Sequence, residues 1–172
     1  MMSVTSETTH ERAHAGRLGE LYARHAPEAA RLAYLLTGDR HTAEDLVQDA
    51  FVRVFGRFRD LRDPGSFPWY LRRTVVNQAN SRLRRLRTER EYLERRRVQP
   101  PPPSMPDVAS RDEMWRALQR LPVRQRAAIV LRFYEDLSEA DTAEVLRCRV
   151  GTVKSLVSRG LARLRTEVTP DA

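Results

Sequence analysis

The sequence predicts an all-α protein that consists of two small helical domains joined by a proline-rich linker. Apolar residues recur at helical spacing along the chain, and helix-capping residues precede several of these segments, whereas the alternating pattern of a strand is absent. A cluster of prolines between residues 98 and 110 is incompatible with a helix and favours extended polyproline conformation. The 172 residues, 41% of them apolar, suffice for two small cores.

Four segments follow from these signals. We expect a polar, disordered N-terminus over 1–11, a first helical domain over 12–97, the linker over 98–110 and a second helical domain over 111–168. An extended linker of this length spans roughly 40 Å, at about 3.1 Å per residue. The two domains could therefore occupy separate sites on one ligand while they remain tethered.

The first domain is predicted to contain four helices. The first covers about 12–24, and the second starts at Pro27 and ends at Gly38, since proline suits a first helical turn and glycine a helix end. Thr42 and Asp45 have the spacing of a capping box and predict the start of the third helix.

The fourth helix combines aromatic and basic residues. Ser66 can cap it, and Phe67, Trp69 and Tyr70 lie at its start. Ten arginines and three glutamates follow between residues 72 and 97. Aromatic rings beside arginines can hold single-stranded bases through stacking and backbone charge. The alternative is that Trp69 belongs to the core while Tyr70 packs at the rim.

The second domain ends in a predicted helix-turn-helix. A capping box starts at Ser110, Pro122 begins a helix over 123–134, and Ser138 can cap the next short helix. The chain breaks at 147–149, and six basic residues but no acid lie between 147 and 165. The last helix pairs an apolar face with a small, polar, basic face, which suits the DNA major groove. The alternative is an ordinary bundle helix with solvated charges.

Charge and cysteine content narrow the function classes. The formal net charge of +8 comes almost wholly from arginine, because Lys154 is the only lysine, and arginine favours nucleic-acid partners. Cys148 is the only cysteine, so no intramolecular disulfide can form and a reducing compartment is expected. Neither a signal peptide nor a membrane-length apolar run is present, which predicts a soluble cytoplasmic protein without membrane insertion.

Catalytic signatures are missing from the sequence. It contains no glycine-rich phosphate loop, no paired zinc motif and no nucleophile with a plausible histidine partner. We therefore expect no enzyme activity, no catalytic residue, no metal site and no cofactor.

Three ordered segments together resemble a known family. They are AEDLVQDAFVRVF at 43–55, FPWYLRRTVVNQANSRLRR at 67–85, and LPVRQRAAIVLRFYEDLSEADTAEVLRCRVGTVKSLVSRGLARLR at 121–165. Their order and residue patterns resemble those of the extracytoplasmic-function (group 4) sigma factors of bacterial RNA polymerase, in particular the actinobacterial SigE type. The resemblance implies σ2-like and σ4-like domains that bind core polymerase, recognise the −35 and −10 promoter elements and nucleate promoter melting.

The resemblance also implies site residues and partners. Docking on the β′ clamp helices of core polymerase falls on Asp45, Leu46, Gln48, Asp49, Phe51 and Val52. Recognition and opening of the −10 element fall on Phe67, Trp69, Tyr70, Arg72, Arg73, Asn77, Ser81 and Arg84. Recognition of the −35 element falls on Arg149, Thr152, Lys154, Ser155, Ser158, Arg159 and Arg163. The β flap of the polymerase and an anti-sigma factor are further candidate partners.

Two other functions are compatible with parts of the pattern. A stand-alone helix-turn-helix regulator would bind duplex DNA, but it would not need the acidic docking helix or the aromatic-basic helix. An RNA-binding or membrane-surface protein could use the arginine-rich helix alone. The family pattern itself has a departure at Thr142, where an isoleucine is common, and this exchange is expected to weaken core burial.

Overall fold

The computed structural model describes residues 4–58, 64–94 and 111–168, and within these ranges it contains seven α-helices and no strand. The prediction of an all-α protein is confirmed. The linker predicted over 98–110, including the cap at Ser110, lies outside the described residues.

The first half of the chain is a three-helix unit. It consists of α1 (Val4–Thr37), α2 (Arg40–Phe58), a short 3-10 turn (Pro64–Ser66) and α3 (Phe67–Glu94). The three helices pack against one another in every pairing. Gly38 ends α1 in a left-handed conformation, with φ of 75°, as its position in the sequence predicts.

The predicted division of α1 into two helices is wrong. A single helix runs from Val4 to Thr37 with Pro27 inside it, and its start lies within the 1–11 segment that was expected to be disordered. Proline removes one backbone hydrogen bond. The turns that follow Pro27 bury Leu32, Ala33 and Leu36 almost completely, and this burial outweighs the loss.

The predicted capping box of α2 is also displaced. The carboxylate of Asp39, rather than Thr42, caps the helix, because Oδ2 of Asp39 accepts from the Thr42 amide at 2.7 Å. Hydrogen bonding to the side chain of Thr42, and then to its backbone amide, holds the pKa of Asp39 below its ordinary value. The helix consequently starts at Arg40, three residues earlier than a cap at Thr42 predicts.

The second half contains four helices: α4 (Arg111–Arg120), α5 (Val123–Ile129), α6 (Glu139–Leu146) and α7 (Val150–Val168). A π-helical turn over Val130–Tyr134 continues α5, so the helix predicted over 123–134 has the expected extent but widens in its second part. Ser138 caps α6 as predicted, since its Oγ accepts from the Asp141 amide at 3.0 Å.

The two halves share one continuous core. Apolar residues of α1, α2 and α3 form a single buried cluster with Ala127, Val130, Leu131 and Val145 of the second half. A smaller cluster within the second half consists of Ala117, Leu121, Ile129 and Leu164. The described halves thus pack on each other directly.

Polar contacts join the end of α1 to the second half. The buried guanidinium of Arg126 donates to the carbonyl of Leu36 at 2.5 Å and to Oε1 of Gln119 at 2.6 Å, and Gln119 donates to the carbonyl of Leu35 at 2.9 Å. The carbonyls of Leu35 and Leu36 lie at the end of α1, where the helix itself supplies no hydrogen-bond donor to them. Burial lowers the pKa of Arg126 to about 10, which leaves the side chain charged at neutral pH.

Candidate nucleic-acid interface

The turn between α6 and α7 has the geometry of a helix-turn-helix. Arg147 ends α6 in a left-handed conformation with φ of 50°, and the Cys148 amide donates back to the carbonyl of Ala143 at 3.0 Å. The Thr152 amide then donates to the carbonyl of Arg149 at 2.9 Å as α7 begins. The break predicted at 147–149 is therefore confirmed.

One face of α7 packs on α5 and α6, and this fixes which face remains outside. Val153 and Leu164 are buried as predicted, and Leu156, Val157 and Leu161 are partly buried. Gly160 allows the close approach, since a Cβ there would lie 2.6 Å from Cδ1 of Ile129. Sequence reasoning missed this contact, because a glycine inside a helical pattern does not reveal its neighbour.

The outer face of α7 carries the side chains predicted to read the −35 element. Ser155 is half-buried and donates to the carbonyl of Gly151 at 3.0 Å. Lys154 lies 3.6 Å from the carboxylate of Glu139. All of the predicted residues except Ser155 are exposed. Arg149 lies in the turn, and the rest lie along α7: Thr152, Lys154, Ser158, Arg159 and Arg163. The structure thus places all seven predicted residues on the turn and helix that follow α6.

The aromatic residues at the start of α3 divide between core and surface. Phe67 is fully buried, with its ring centroid 5.6 Å from that of Phe51, so its prediction as a DNA-contacting residue conflicts with its position. Trp69 is half-buried against the core, whereas Tyr70 is 38% exposed. The alternative interpretation, in which Trp69 packs and Tyr70 lies at the rim, describes this arrangement.

A basic groove of about 960 Å³ lies between α2 and α3. Four of the predicted −10 residues line it: Tyr70, Arg73, Asn77 and Ser81. Arg84 is exposed on the same helix but does not line the groove. Six arginines line the groove, against one aspartate and one glutamate: Arg53, Arg57, Arg73, Arg82, Arg85 and Arg147. This arrangement offers an aromatic ring, an amide and several phosphate-binding groups along one channel.

Of these six arginines only Arg73 was among the predicted −10 residues, although Arg82 and Arg85 belong to the predicted arginine-rich helix. Arg53 and Arg57 lie one turn apart on α2, and this spacing is the only signal in the sequence that they share a face. Arg147 reaches the groove from the second half. Their common environment depends on how α2 and the second half pack against α3, which no local pattern specifies.

Three predicted −10 residues contact the second half of the chain. Nε of Arg72 pairs with the carboxylate of Glu135, and Nη1 of Arg73 lies 3.3 Å from Oε1 of Glu144. Nδ2 of Asn77 donates to the carbonyl of Arg73 at 2.7 Å and to that of Val145 at 3.3 Å. These side chains are positioned by the second half as well as by α3.

The predicted polymerase-docking residues on α2 also fall into two groups. Gln48 and Asp49 are exposed, Val52 is 72% exposed and Asp45 is half-buried, which gives α2 an accessible acidic and apolar strip. Leu46 and Phe51 are buried in the core, so their prediction as docking residues conflicts with their position. The resemblance assigned all six by their position in the sequence, and it did not separate the inner from the outer face of the helix.

The described ranges contain neither a membrane-spanning helix nor a cluster of metal-binding side chains. No helix there is long and apolar enough to cross a membrane. In the same ranges, no three His, Cys, Asp or Glu side chains lie together in a way that could hold a metal ion.

Comparison with known proteins assigns a family to both halves. A family model for Sigma-70 region 2 matches residues 21–89, and a model for Sigma-70 region 4 matches residues 111–164. The chain is 36% identical over 145 residues to the ECF RNA polymerase sigma factor SigM of Mycobacterium tuberculosis, covering 84% of this chain and 74% of that protein. The chain belongs to the extracytoplasmic-function family of RNA polymerase sigma factors. Helices α1–α3 correspond to region 2, and helices α4–α7 correspond to region 4.

Other sigma factors are similarly related. The RNA polymerase sigma-E factor of Streptomyces coelicolor is 35% identical over 138 residues, covering 80% of this chain and 78% of that protein. The ECF sigma factor SigE of Mycolicibacterium smegmatis is 37% identical over 153 residues, but the match spans only 59% of that protein. The fold resembles that of RpoE, solved with the anti-sigma factor NepR from Bartonella quintana, with a TM-score of 0.68 and 24% identity over 90% of this chain and 98% of that one.

Family membership determines the general activity. Sigma factors are initiation factors rather than enzymes, and this sigma factor directs RNA polymerase in transcription initiation through core polymerase and promoter DNA. The expectation of a non-enzymatic sigma factor is confirmed.

Proposed function

We propose that α7 reads the −35 element, that the first half docks on core polymerase through α2, and that α3 with its basic groove captures the opened −10 strand. The arginine-lined groove beside Tyr70 and Asn77 is the observation that carries this proposal. A regulator that binds only duplex DNA would have no use for such a channel.

Capture of single-stranded DNA can nucleate melting without a catalytic residue. The exposed ring of Tyr70 offers a stacking surface, and the amide of Asn77 offers both a donor and an acceptor to a base edge. Stacking on an aromatic ring contributes about 1–3 kcal/mol per base, which is comparable with the cost of unpairing one. Arg82 and Arg85 lie along the same groove and would hold phosphates.

Recognition of the −35 element rests on the composition of the α7 surface. Ser158 and the backbone beside it permit close approach to DNA, while Lys154, Arg159 and Arg163 supply cations on the same exposed face. Arginine contributes bidentate hydrogen bonds to guanine or phosphate, and the short hydroxyl side chains contribute phosphate contacts.

Docking on the β′ clamp helices is assigned to the accessible strip of α2. Gln48, Asp49 and Val52 combine an amide, a carboxylate and an apolar surface, and Asp45 extends the strip by one turn. Leu46 and Phe51 would support this strip from the core. We further propose a contact of the second half with the β flap, a cytoplasmic location, and regulation by an anti-sigma factor.

Reconstitution with core RNA polymerase tests this function. The purified chain should co-elute with core polymerase and yield specific run-off transcripts from its cognate promoter. Duplex DNA binding without a stable polymerase complex at physiological salt would instead favour the stand-alone helix-turn-helix regulator.

A further inference from the structure

The basic groove between α2 and α3 carries positive charge that the protein itself leaves uncompensated. Four of its six arginines form no ion pair within the described part of the chain: Arg53, Arg57, Arg85 and Arg147. Arg73, in contrast, pairs with Glu144. Each of the four unpaired arginines is exposed, so its guanidinium is accessible to a ligand.

A shortage of acids does not explain the unpaired arginines. On the same helix α3, Arg87 pairs with Glu91 at 2.7 Å. Asp49 and Glu89 line the groove, yet among the described residues neither forms an ion pair with one of its arginines. A cleft lined mainly by one sign of charge focuses the electric field and attracts a counter-ion. The groove therefore favours an anionic ligand.

Arg53 is held at the wall of the groove by a neutral side chain. With its amide oriented to satisfy both groups, Gln78 of α3 accepts from Nε of Arg53 at 3.0 Å and donates to the carbonyl of Leu46 at 3.2 Å. The two terminal nitrogens of Arg53 have no partner in the ranges that the structure describes. They are consequently free to bind phosphate oxygens, and Arg57 lies one turn further along the same wall.

The four unpaired arginines come from three different parts of the fold. Arg53 and Arg57 belong to α2, Arg85 belongs to α3, and Arg147 belongs to the turn of the helix-turn-helix, where it ends α6 with φ of 50°. A guanidinium binds phosphate oxygens through two parallel hydrogen bonds. Contacts with all three parts require several phosphates in succession, which a linear polyphosphate provides and a single phosphate does not.

The groove also has room and lining for more than a phosphate chain. Its volume of about 960 Å³ lies within the range of small-molecule sites, roughly 300–1,000 Å³. The partly exposed ring of Tyr70 and the exposed side chain of Leu86 line it together with the cations. This combination suits a nucleoside polyphosphate, whose base can stack on an aromatic ring, while the cations alone suit an inorganic polyphosphate.

We propose that this groove binds a linear polyphosphate chain, carried by a nucleoside polyphosphate or present as inorganic polyphosphate, and that Arg53, Arg57, Arg85 and Arg147 hold its phosphates. The inference goes beyond the proposed function, because the ligand is neither promoter DNA nor polymerase. Its bound state joins α2, α3 and the turn that follows α6 through one anion.

Isothermal titration calorimetry of the full-length chain tests this site. The probes are sodium tripolyphosphate, ATP and AMP, without divalent cations, which would neutralise the phosphates. The groove variant carries Arg53→Gln and Arg57→Gln. Its matched control carries Arg24→Gln and Arg31→Gln, which also remove two exposed charges but lie on α1, outside the groove.

Tripolyphosphate and ATP should each bind the wild type at one site. AMP has a single phosphate and should bind at least about tenfold more weakly, since it loses charge-assisted hydrogen bonds. The groove variant should bind both polyphosphates at least about tenfold more weakly, and the control should remain within about twofold of the wild-type Kd. Tighter binding of ATP than of tripolyphosphate would identify a nucleoside polyphosphate as the ligand, whereas equal or weaker binding of ATP would identify the inorganic chain.

Arg147→Gln tests the contribution of the second half. It should weaken tripolyphosphate binding about threefold, as expected for one exposed ion pair, whereas Arg165→Gln, at an exposed position of α7 outside the groove, should not. Equal affinities of these two variants would overturn the site of three parts. If the groove variant fails to fold, Arg57→Gln alone should still weaken binding, because the side chain of Arg57 has no hydrogen bond or ion pair to lose among the described residues.

Absence of saturable binding of both polyphosphates at millimolar concentration would overturn the inference. Equal affinity of the groove variant and the α1 control would also overturn it, since overall net charge rather than the groove would then hold the anion. AMP that binds as tightly as ATP would contradict the need for several phosphates. None of these outcomes affects the proposed function, which fails separately if the wild type forms no complex with core polymerase and yields no run-off transcript.

Discussion

Asn77 of α3 donates through Nδ2 to the backbone carbonyl of Val145, 68 residues later in the chain. This bond joins the helix assigned to strand opening with the first helix of the helix-turn-helix. The two promoter-reading halves are therefore in direct contact, and the side chain at their junction is one that we assign to a base.

Docking on polymerase should depend on the exposed strip of α2. Replacement of Gln48 and Asp49 by alanine should reduce the affinity for core polymerase by on the order of 100-fold, since hot-spot truncations cost 2 kcal/mol or more. The affinity for −35 duplex should not change. Co-elution with core polymerase and anisotropy with duplex DNA measure the two quantities.

Glu44→Ala is the matched control for the docking variant. Glu44 is an exposed acid on the same helix, paired with Arg40, and lies outside the assigned strip. If the control weakens polymerase binding as much as the double variant does, overall helix charge rather than the strip mediates docking.

Recognition of the −35 element should depend on Lys154 and Arg159. Replacement of either by glutamine should weaken binding to the cognate −35 duplex, and a residue that contacts phosphate should lower the slope of log K against log salt by about 1. Titrations at several salt concentrations measure this slope. Arg120→Gln, on α4, serves as the charge control.

A base contact has a different signature from a phosphate contact. If Arg159 contacts a base, its replacement should reduce discrimination at one base pair by about 1–3 kcal/mol and leave non-specific binding nearly unchanged. Unaltered binding of both variants to every duplex would contradict the assignment of α7 as the reading helix.

Thr142 should limit the stability of the second half. It is fully buried, and its Oγ1 has no hydrogen-bond partner among the described residues. Thr142→Val keeps the shape and removes the unsatisfied hydroxyl, so it should raise the free energy of unfolding by about 1 kcal/mol. Urea denaturation measures the change, and a less stable variant would show that the hydroxyl is satisfied in solution.

Acid should destabilise the first half through His25. Burial, followed by the charge of Arg24, lowers the pKa of His25 below its ordinary value of 6.5. The unfolded chain therefore takes up a proton on His25 at a higher pH than the folded chain does. The free energy of unfolding consequently decreases as the pH falls below 6.5. His25→Gln should reduce the slope of unfolding free energy against pH in this window, and an unchanged slope would exclude His25 as its source.

Local signals in the sequence predicted the elements whose ends are determined locally. Ser138 caps α6 and Gly38 ends α1 because each acts on backbone within a few residues. The sequence failed at Pro27, where burial of later turns against α2 and α3 overrides a local helix-breaking signal. Asp39 replaced the predicted cap because two competing caps lay three residues apart and only the geometry selects one.

The candidate site was predicted in its elements, and on α7 also in its faces, but the assigned residues of α2 and α3 mix inner and outer faces. The resemblance placed the sites on α2, α3 and α7, yet Phe51 and Phe67 pack on each other inside the core. Sequence position alone could not separate these rings from the exposed Tyr70. The arginines of the groove and the contact between Arg72 and Glu135 depend on packing between distant segments, which periodicity does not encode.

Permanganate reactivity of promoter thymines tests the assignment of α3 to strand opening most directly. With core polymerase and the wild-type chain, thymines of the −10 element should become reactive, and Tyr70→Ala with Asn77→Ala should suppress this reactivity by on the order of tenfold while the polymerase complex still forms. Tyr92→Ala, which removes an exposed ring farther along α3, should leave it unchanged. Wild-type reactivity in the Tyr70 and Asn77 variant would contradict the account.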